Sequence, residues 1–460
     1  MKESWFVIVA VVMLTLSLAG AAVAVQETDA DPTDEIAWSP PELPDDSDAP
    51  SEAGTATVDD ESFDSVQTAV DAAEPGDEIL LEGYFDERIV IETPNVTLRG
   101  VDGSTSAMID GGGDDTVVTV LAENVTISDL WITESGHDRA GEDAGIMMNG
   151  SDSTVSDVRI TAVTYGIWIN GVSNVTVEET TIVGRLDVYP VVQRGNGIHL
   201  WSADDTVLRN NSITEVRDGI YYSWSEAVLT EGNAMWDVRY GVHYMYSQDN
   251  ILRNNVAAEN DVGFALMVSS NLTVTDNLAL NNRGQSSHGI LLKDIDDSTV
   301  ADNAIVNNGN GLYVYNAHGN AITDNLVLEN DVGLFITAKS TVDRVVGNSF
   351  IYNGEAAFTT TRDRVAWNDS ERGNFWSDAR VVDRSGDGTS EIRYHPAGTV
   401  ERLTYEQPQA AVFSESPAFD AVRMAESSFP VVEAQGIIDH RPLAEPEHEE
   451  WRQYYGNHDH

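Results

Sequence analysis

The residues of this sequence with the types and spacing to hold a metal ion are His199, His243, Met245 and Met267. Met245 and Met267 are separated by one repeat length, and His243 precedes Met245 by two residues. Thioether and imidazole donors together suit Cu(I). If each repeat makes one turn, adjacent turns lie about 4.8 Å apart, so both methionines and His243 could meet at one transiently bound copper ion. His199 and His243 fall two turns apart, roughly 9.6 Å, too far to share that ion. A second cluster, Asp383, Asp387 and Glu391 in the run Asp383 to Glu391, has oxygen ligands for calcium and otherwise reads as an ordinary acidic turn. The C-terminal Tyr454 to His460, with His448 upstream, is a third stretch that could chelate a metal.

What must position these residues is a repeat. The pattern Gly, aliphatic, variable, apolar begins at Gly145, Gly166, Gly197, Gly219, Gly241, Gly263, Gly289, Gly311 and Gly333, with gaps of 21, 31, 22, 22, 22, 26, 22 and 22 residues. A fixed period of this length marks a solenoid, and the two long gaps mark loops leaving it, at 186–194 and 282–288. A second column, Asn211, Asn233, Asn255, Asn277, Asn303, Asn325 and Asn348, predicts stacked turns with amides bonded from coil to coil. Buried slots hold Val, Ile, Thr and Ala as readily as Leu, and short β-branched runs are bounded by Asn, Asp and Gly. A parallel β-helix therefore fits better than a leucine-rich repeat. The predicted fold is all-β: a right-handed parallel β-helix of about a dozen coils with short capping helices, one over Ser65 to Ala73 and one over Ala418 to Ser428.

Strand alternation assigns the surface. With Gly+1 and Gly+3 in the core, Gly+2 and Gly+4 project from one sheet. The Gly+2 column includes Trp168, His199, Tyr221, His243, Tyr313 and Phe335; the Gly+4 column includes Trp201, Met245 and Met267, with Trp224 and Tyr246 one position further on. In an acidic chain such a face should carry carboxylates. Aromatic, Met and His residues there predict a partner-binding strip, unless the chain's own loops or tail fold over it.

The chain has 77 acidic against 25 basic residues, a net charge of −52, and lysine only at Lys2, Lys293 and Lys339. That sign excludes nucleic acid as a partner. The acidity suits a halophile, because molar salt shortens the screening length to roughly 3 Å. There are no cysteines, so disulfides and thiolate sites are excluded. Residues 1–25 read as a signal peptide or an N-terminal membrane anchor, making the protein exported, extracytoplasmic or at the cell surface. Residues 26–60 read as an acidic disordered spacer, 61–400 as the β-helix and 401–460 as a capping and docking tail.

Several motifs carry a resemblance. The opening run Ser65 to Asp77 resembles that of the carbohydrate-binding and sugar-hydrolase-like (CASH) β-helices. Arg239-Tyr240-Gly241-Val242-His243-Tyr244-Met245, Gly263-Phe264-Ala265-Leu266-Met267 and Leu291 to Ser298 resemble the NosD family, accessory proteins of nitrous-oxide reductase. Gly373-Asn374-Phe375-Trp376-Ser377-Asp378, Ser416 to Ala421 and Arg441-Pro442-Leu443 continue the likeness, which runs from Phe63 to Leu443. The acidic loop from Asp383 resembles one common in relatives, with Ser385 in place of an acid. The resemblance implies a non-enzymatic, periplasmic-type protein that helps build the copper-sulfur centre of the reductase. Its implied partners are an ABC transporter membrane subunit met by the C-terminal region, and the reductase or a copper chaperone.

Two rival classes use the same fold. A carbohydrate-active lyase, epimerase or hydrolase needs paired carboxylates, or a base beside a neutralising cation, in a groove. The strip columns show no such pair, the epimerase Asp-Pro-His motif is absent, and Lys293 with Asp294, Asp296 and Asp297 is read as lying off the strip. A surface glycan-binding module would explain the aromatics but not the methionines.

Overall fold

A computed structural model describes residues 38–454, apart from 44, 338, 362–363, 414–415 and 429–435. The expected signal peptide or anchor and the last residues of the tail, 455–460, lie outside the described residues. Among the described residues no helix is long and apolar enough to cross a membrane.

The body is a parallel β-solenoid of about 13 turns. Each turn contributes short strands to three ladders. The Gly-led strands form one, from Ile89–Ile91 to Glu355–Thr359. A second runs from Glu78–Asp86 through Thr97–Gly100 to Thr341–Val346, and a third ends at Phe375–Trp376. The Gly+1 residues Ile167, Ile198, Ile220, Val242, Phe264, Ile290, Leu312 and Leu334 are fully buried, one above another. Columns of like residues at the strand spacing fill the core without helices.

The asparagine column continues past Asn348 to Asn374, each Nδ2 donating to the next Oδ1 at 2.8–3.0 Å. Asp439, from the returning C-terminal segment, accepts the Asn374 amide at 2.8 Å and closes that ladder. A second ladder runs Asn260, Asn282, Asn308, Asn330, Asn353.

Helix α1, Val66–Ala72, closes the N-terminal end as expected. Ser65 caps it, and Glu87 from the adjoining turn accepts the Val66 amide at 2.6 Å, placing a carboxylate on the helix N-terminus. Residues within the expected spacer are ordered by pairing: Thr55–Val58 pairs antiparallel with Glu61–Phe63 and with Glu78–Asp86. At the far end stand α2, Thr399–Glu406, and α3, Pro417–Ser428, beside a small sheet of Arg364–Ala366, Gly436–Asp439 and Tyr394–Ala397.

Candidate functional site

The pairing register puts the expected columns in line. Met147, Trp168, His199, Tyr221, His243, Ala265, Leu291, Tyr313 and Phe335 are successive partners, as are Trp201, Ser223, Met245, Met267, Lys293 and Tyr315. Lys293, expected off the strip, stands in it next to Met267, because its strand His288–Asp296 runs straight through the column.

Exposure divides the strip into covered and open positions. Trp168, His199 and His243 are only 6–8% exposed, and Tyr221, Met245, Met267, Tyr313 and Phe335 are half-buried. Trp201, Trp224, Tyr246 and Tyr315 are open. Part of the burial is ring on ring. Trp168 stacks on His199 at 3.8 Å, His199 meets Tyr221 at 4.7 Å and Tyr221 meets His243 at 4.8 Å. Tyr165 and Tyr240 close edge-on against Trp168 and His243.

Simple alternation does not foresee those two tyrosines or Asp218. Each strand pairing skips the glycine. A Cβ on Gly219 would sit 2.5 Å from the Gly241 carbonyl oxygen, and one on Gly241 2.6 Å from that of Gly263. Only glycine lets the coils close there, and the irregularity brings the residue before it to the same face as Gly+2. Asp218 thereby becomes an outward-side carboxylate that is nonetheless fully buried. Its Oδ2 faces His243 Nδ1 at 3.0 Å, Arg239 donates to it at 2.8 and 2.6 Å, and Arg217 at 3.3 Å. Burial alone would raise the Asp218 pKa, but hydrogen bonds from His243 and Arg239 hold it well below the usual carboxylate range.

Since the Asp218 carboxylate can only accept, His243 Nδ1 donates to it and Nε2 is the ring nitrogen left to offer. This is the carboxylate–histidine arrangement that orients metal-binding imidazoles. The Nε2 atoms of His243 and His199 are buried with no hydrogen-bond partner. Burial, aided by Arg217, pushes the His199 pKa down to about 3, so its imidazole stays neutral across the physiological range, with Nδ1 accepting from Asn196 Nδ2 at 3.1 Å and Nε2 left carrying the ring proton. Unpaired buried polar atoms are rare enough to need a reason. The Tyr221 ring stands between the two histidines, 4.7 Å from one and 4.8 Å from the other, so they do not share an ion. His243, Met245 and Met267 all lie on one pair of adjacent strands. Among the described residues no group of three or more His, Cys, Asp or Glu is placed to hold a metal, so an ion here would need the thioether donors.

The insertions flank the Gly-led ladder. Arg139 donates to Val192 O at 3.0 Å, tying residues 134–143 to the 186–194 loop, and Arg283 of the other insertion pairs with Asp331 at 3.2 Å.

The remaining candidates are internally satisfied. Asp383 accepts the Gly386 and Gly388 amides, Glu391 the Arg384 amide, and Asp387 the Thr389 amide and hydroxyl, with Arg441 at 3.3 Å. These bonds hold Asp383 and Asp387 below the usual carboxylate pKa. His448 is engaged by Ser349 Oγ and the Asp324 carbonyl.

A family model described as periplasmic copper-binding protein (NosD) matches residues 179–380, the stretch that holds most of the strip. A protein named probable ABC transporter binding protein NosD from Pseudomonas aeruginosa is 33% identical, over 85% of this chain and 92% of its own. Another of that name from Stutzerimonas stutzeri is 32% identical over 78% and 85%. Among solved structures, the A-module of the mannuronan C-5 epimerase AlgE6 of Azotobacter vinelandii is 16% identical, covers 64% of this chain and 92% of its own, and has a TM-score of 0.41, too remote to carry any argument about chemistry. The chain belongs to the NosD family.

Proposed function

We propose that this protein is an exported accessory factor. It binds copper as cargo at His243, Met245 and Met267, and docks partner proteins along the same strip during assembly of the copper-sulfur centre of nitrous-oxide reductase. In this reading it works beside an ABC transporter whose membrane subunit meets the C-terminal helices. The observation that carries the reading is His243 Nε2, buried and unpartnered, with its ring set by Asp218 and two methionines on the adjoining register. Neutral nitrogen and thioether sulfur are donors that favour a soft monovalent ion. The family's description and its relatives' names supply the copper and the transporter.

A sugar-cleaving enzyme is the weaker reading. Asp218 is a carboxylate at the strip's centre, and two arginines and His243 already occupy it, so it cannot serve as a free base.

Silver(I) titration of the purified chain under reducing conditions tests the proposal. His243→Ala with Met245→Ala should weaken uptake by about 10-fold or more, as loss of primary ligands should. The same variant in a denitrifying cell should leave the reductase short of copper. Undiminished Ag(I) uptake would defeat the copper assignment.

A further inference from the structure

From Gly166 to Gly311 the residue five positions after each repeat glycine has the left-handed, turn-type backbone with positive φ: Gly171 (66°), Ser202 (48°), Trp224 (59°), Tyr246 (55°), Val268 (47°), Asp294 (56°) and Asn316 (49°). Glycine, asparagine, aspartate and serine are what such a turn ordinarily takes. Tryptophan and tyrosine are not, since a bulky Cβ substituent crowds the backbone in the left-handed region. The solenoid therefore gains nothing from Trp224 and Tyr246 that the coils with Gly171, Ser202, Asp294 and Asn316 do not obtain more cheaply. The two side chains do not compensate by burial. Trp224 is 54% and Tyr246 47% exposed, stacked at 4.5 Å with planes 10° apart, and Trp201 on the preceding coil is 45% exposed. Strain retained in an exposed place points to a contact made outside the chain.

Charge selects the class of partner. Two or three residues beyond this turn the same coils expose Asp205, Glu226 and Asp249. Glu226 and Asp249 take amide donors from the neighbouring coils, Gln248 at 2.7 Å and Asn271. Flat electron-rich rings bordered by carboxylates are complementary to guanidinium and ammonium groups, which lie over ring faces and pair with the acids. The net charge of −52 attracts the same partners over longer range.

We infer that the rim formed by Trp201, Trp224 and Tyr246 docks an arginine- or lysine-bearing segment of a partner protein, bringing it alongside Met245 and Met267. This rests on reading the strip as a partner surface and adds the chemistry of what it holds. The probe is a heptapeptide alternating glycine and arginine, titrated into the full chain by tryptophan fluorescence and calorimetry. Its counterpart with glutamate in place of arginine is the control. Trp224→Asn with Tyr246→Asn should weaken arginine-peptide binding by about tenfold or more, as loss of interface anchors does. Asparagine accepts the turn, so the melting temperature should hold or rise while Ag(I) uptake stays at the parent level. Binding within about twofold of the parent would overturn the inference. So would equal affinity for the glutamate peptide, or binding of a neutral oligosaccharide or phosphatidylcholine vesicles that disappears in the same variant. His243→Ala should weaken Ag(I) uptake and spare the peptide. A parent chain that takes no Ag(I) refutes the copper site alone, and the peptide result still decides the rim.

Discussion

Two aromatic columns share one sheet and are built on opposite terms. The Gly+2 column is held by the fold: Trp168, His199, Tyr221 and His243 pack ring against ring, and Asp218 with two arginines fixes the last of them. The rim beside it, Trp201, Trp224 and Tyr246, is held in spite of the fold, exposed and in part at strained backbone positions. The first column is positioned to orient donors and the second to meet something. The difference teaches that burial and strain separate two tasks which composition alone merges into one strip.

The comparison breaks most sharply at Asp218. Asp218→Ala leaves the buried His243 and the half-buried Arg239 without their carboxylate, and should cost about 3 kcal/mol in chemical denaturation, the low end for removal of one partner from a buried ion pair. A loss under about 1 kcal/mol would mean that the column holds itself by stacking alone. Gly241→Ala comes next. Its Cβ meets the Gly263 carbonyl oxygen, and the overpacking should cost about 1–3 kcal/mol and disturb His243.

His199 sharpens the contrast through pH. Above about pH 6.5 the histidine is neutral in both folded and unfolded chains, so it adds no pH dependence. Below that, the unfolded chain takes a proton that the folded one refuses until about pH 3, so stability falls as pH falls, by up to about 1.4 kcal/mol per unit. His199→Gln should show a shallower decline between pH 6.5 and 4 than the parent, and parallel curves would show that the ring is not buried neutral. The smallest effect belongs to the rim. Trp224→Asn should change stability by no more than about 1 kcal/mol, because relief of backbone strain offsets lost ring stacking.

The columns were legible from sequence because a fixed period puts equivalent residues in line whatever their identity. Trp168, His199, Tyr221 and His243 are register partners as the spacing requires. Asp218, Tyr165 and Tyr240 were not legible, since alternation counted from Gly+1 and Gly+3 misses the irregularity at the glycine. The second asparagine ladder, through Asn260 and Asn282, repeats at the same interval and was open to the same reasoning. The burial of His199 and His243 depends on ring packing between coils, which no single repeat announces. The turn at Trp224 and Tyr246 was visible only in other coils, where glycine, serine, aspartate and asparagine fill the equivalent place four times and valine once.

The asparagine ladder has a consequence for how the molecule can grow. Asn255 and Asn277, 22 residues apart, join at 3.0 Å; so do Asn277 and Asn303, 26 residues apart. Thr180 and Asn211 bond at 3.1 Å across 31 residues of chain that include the first insertion. The amides thus act as a gauge that meters one coil per step whatever length of chain intervenes. Extra sequence is forced sideways into loops, leaving the pitch unaltered. A loop can lengthen, shorten or change its contacts while every donor and ring on the sheet keeps its address, so the decoration of this rod can evolve independently of its scale.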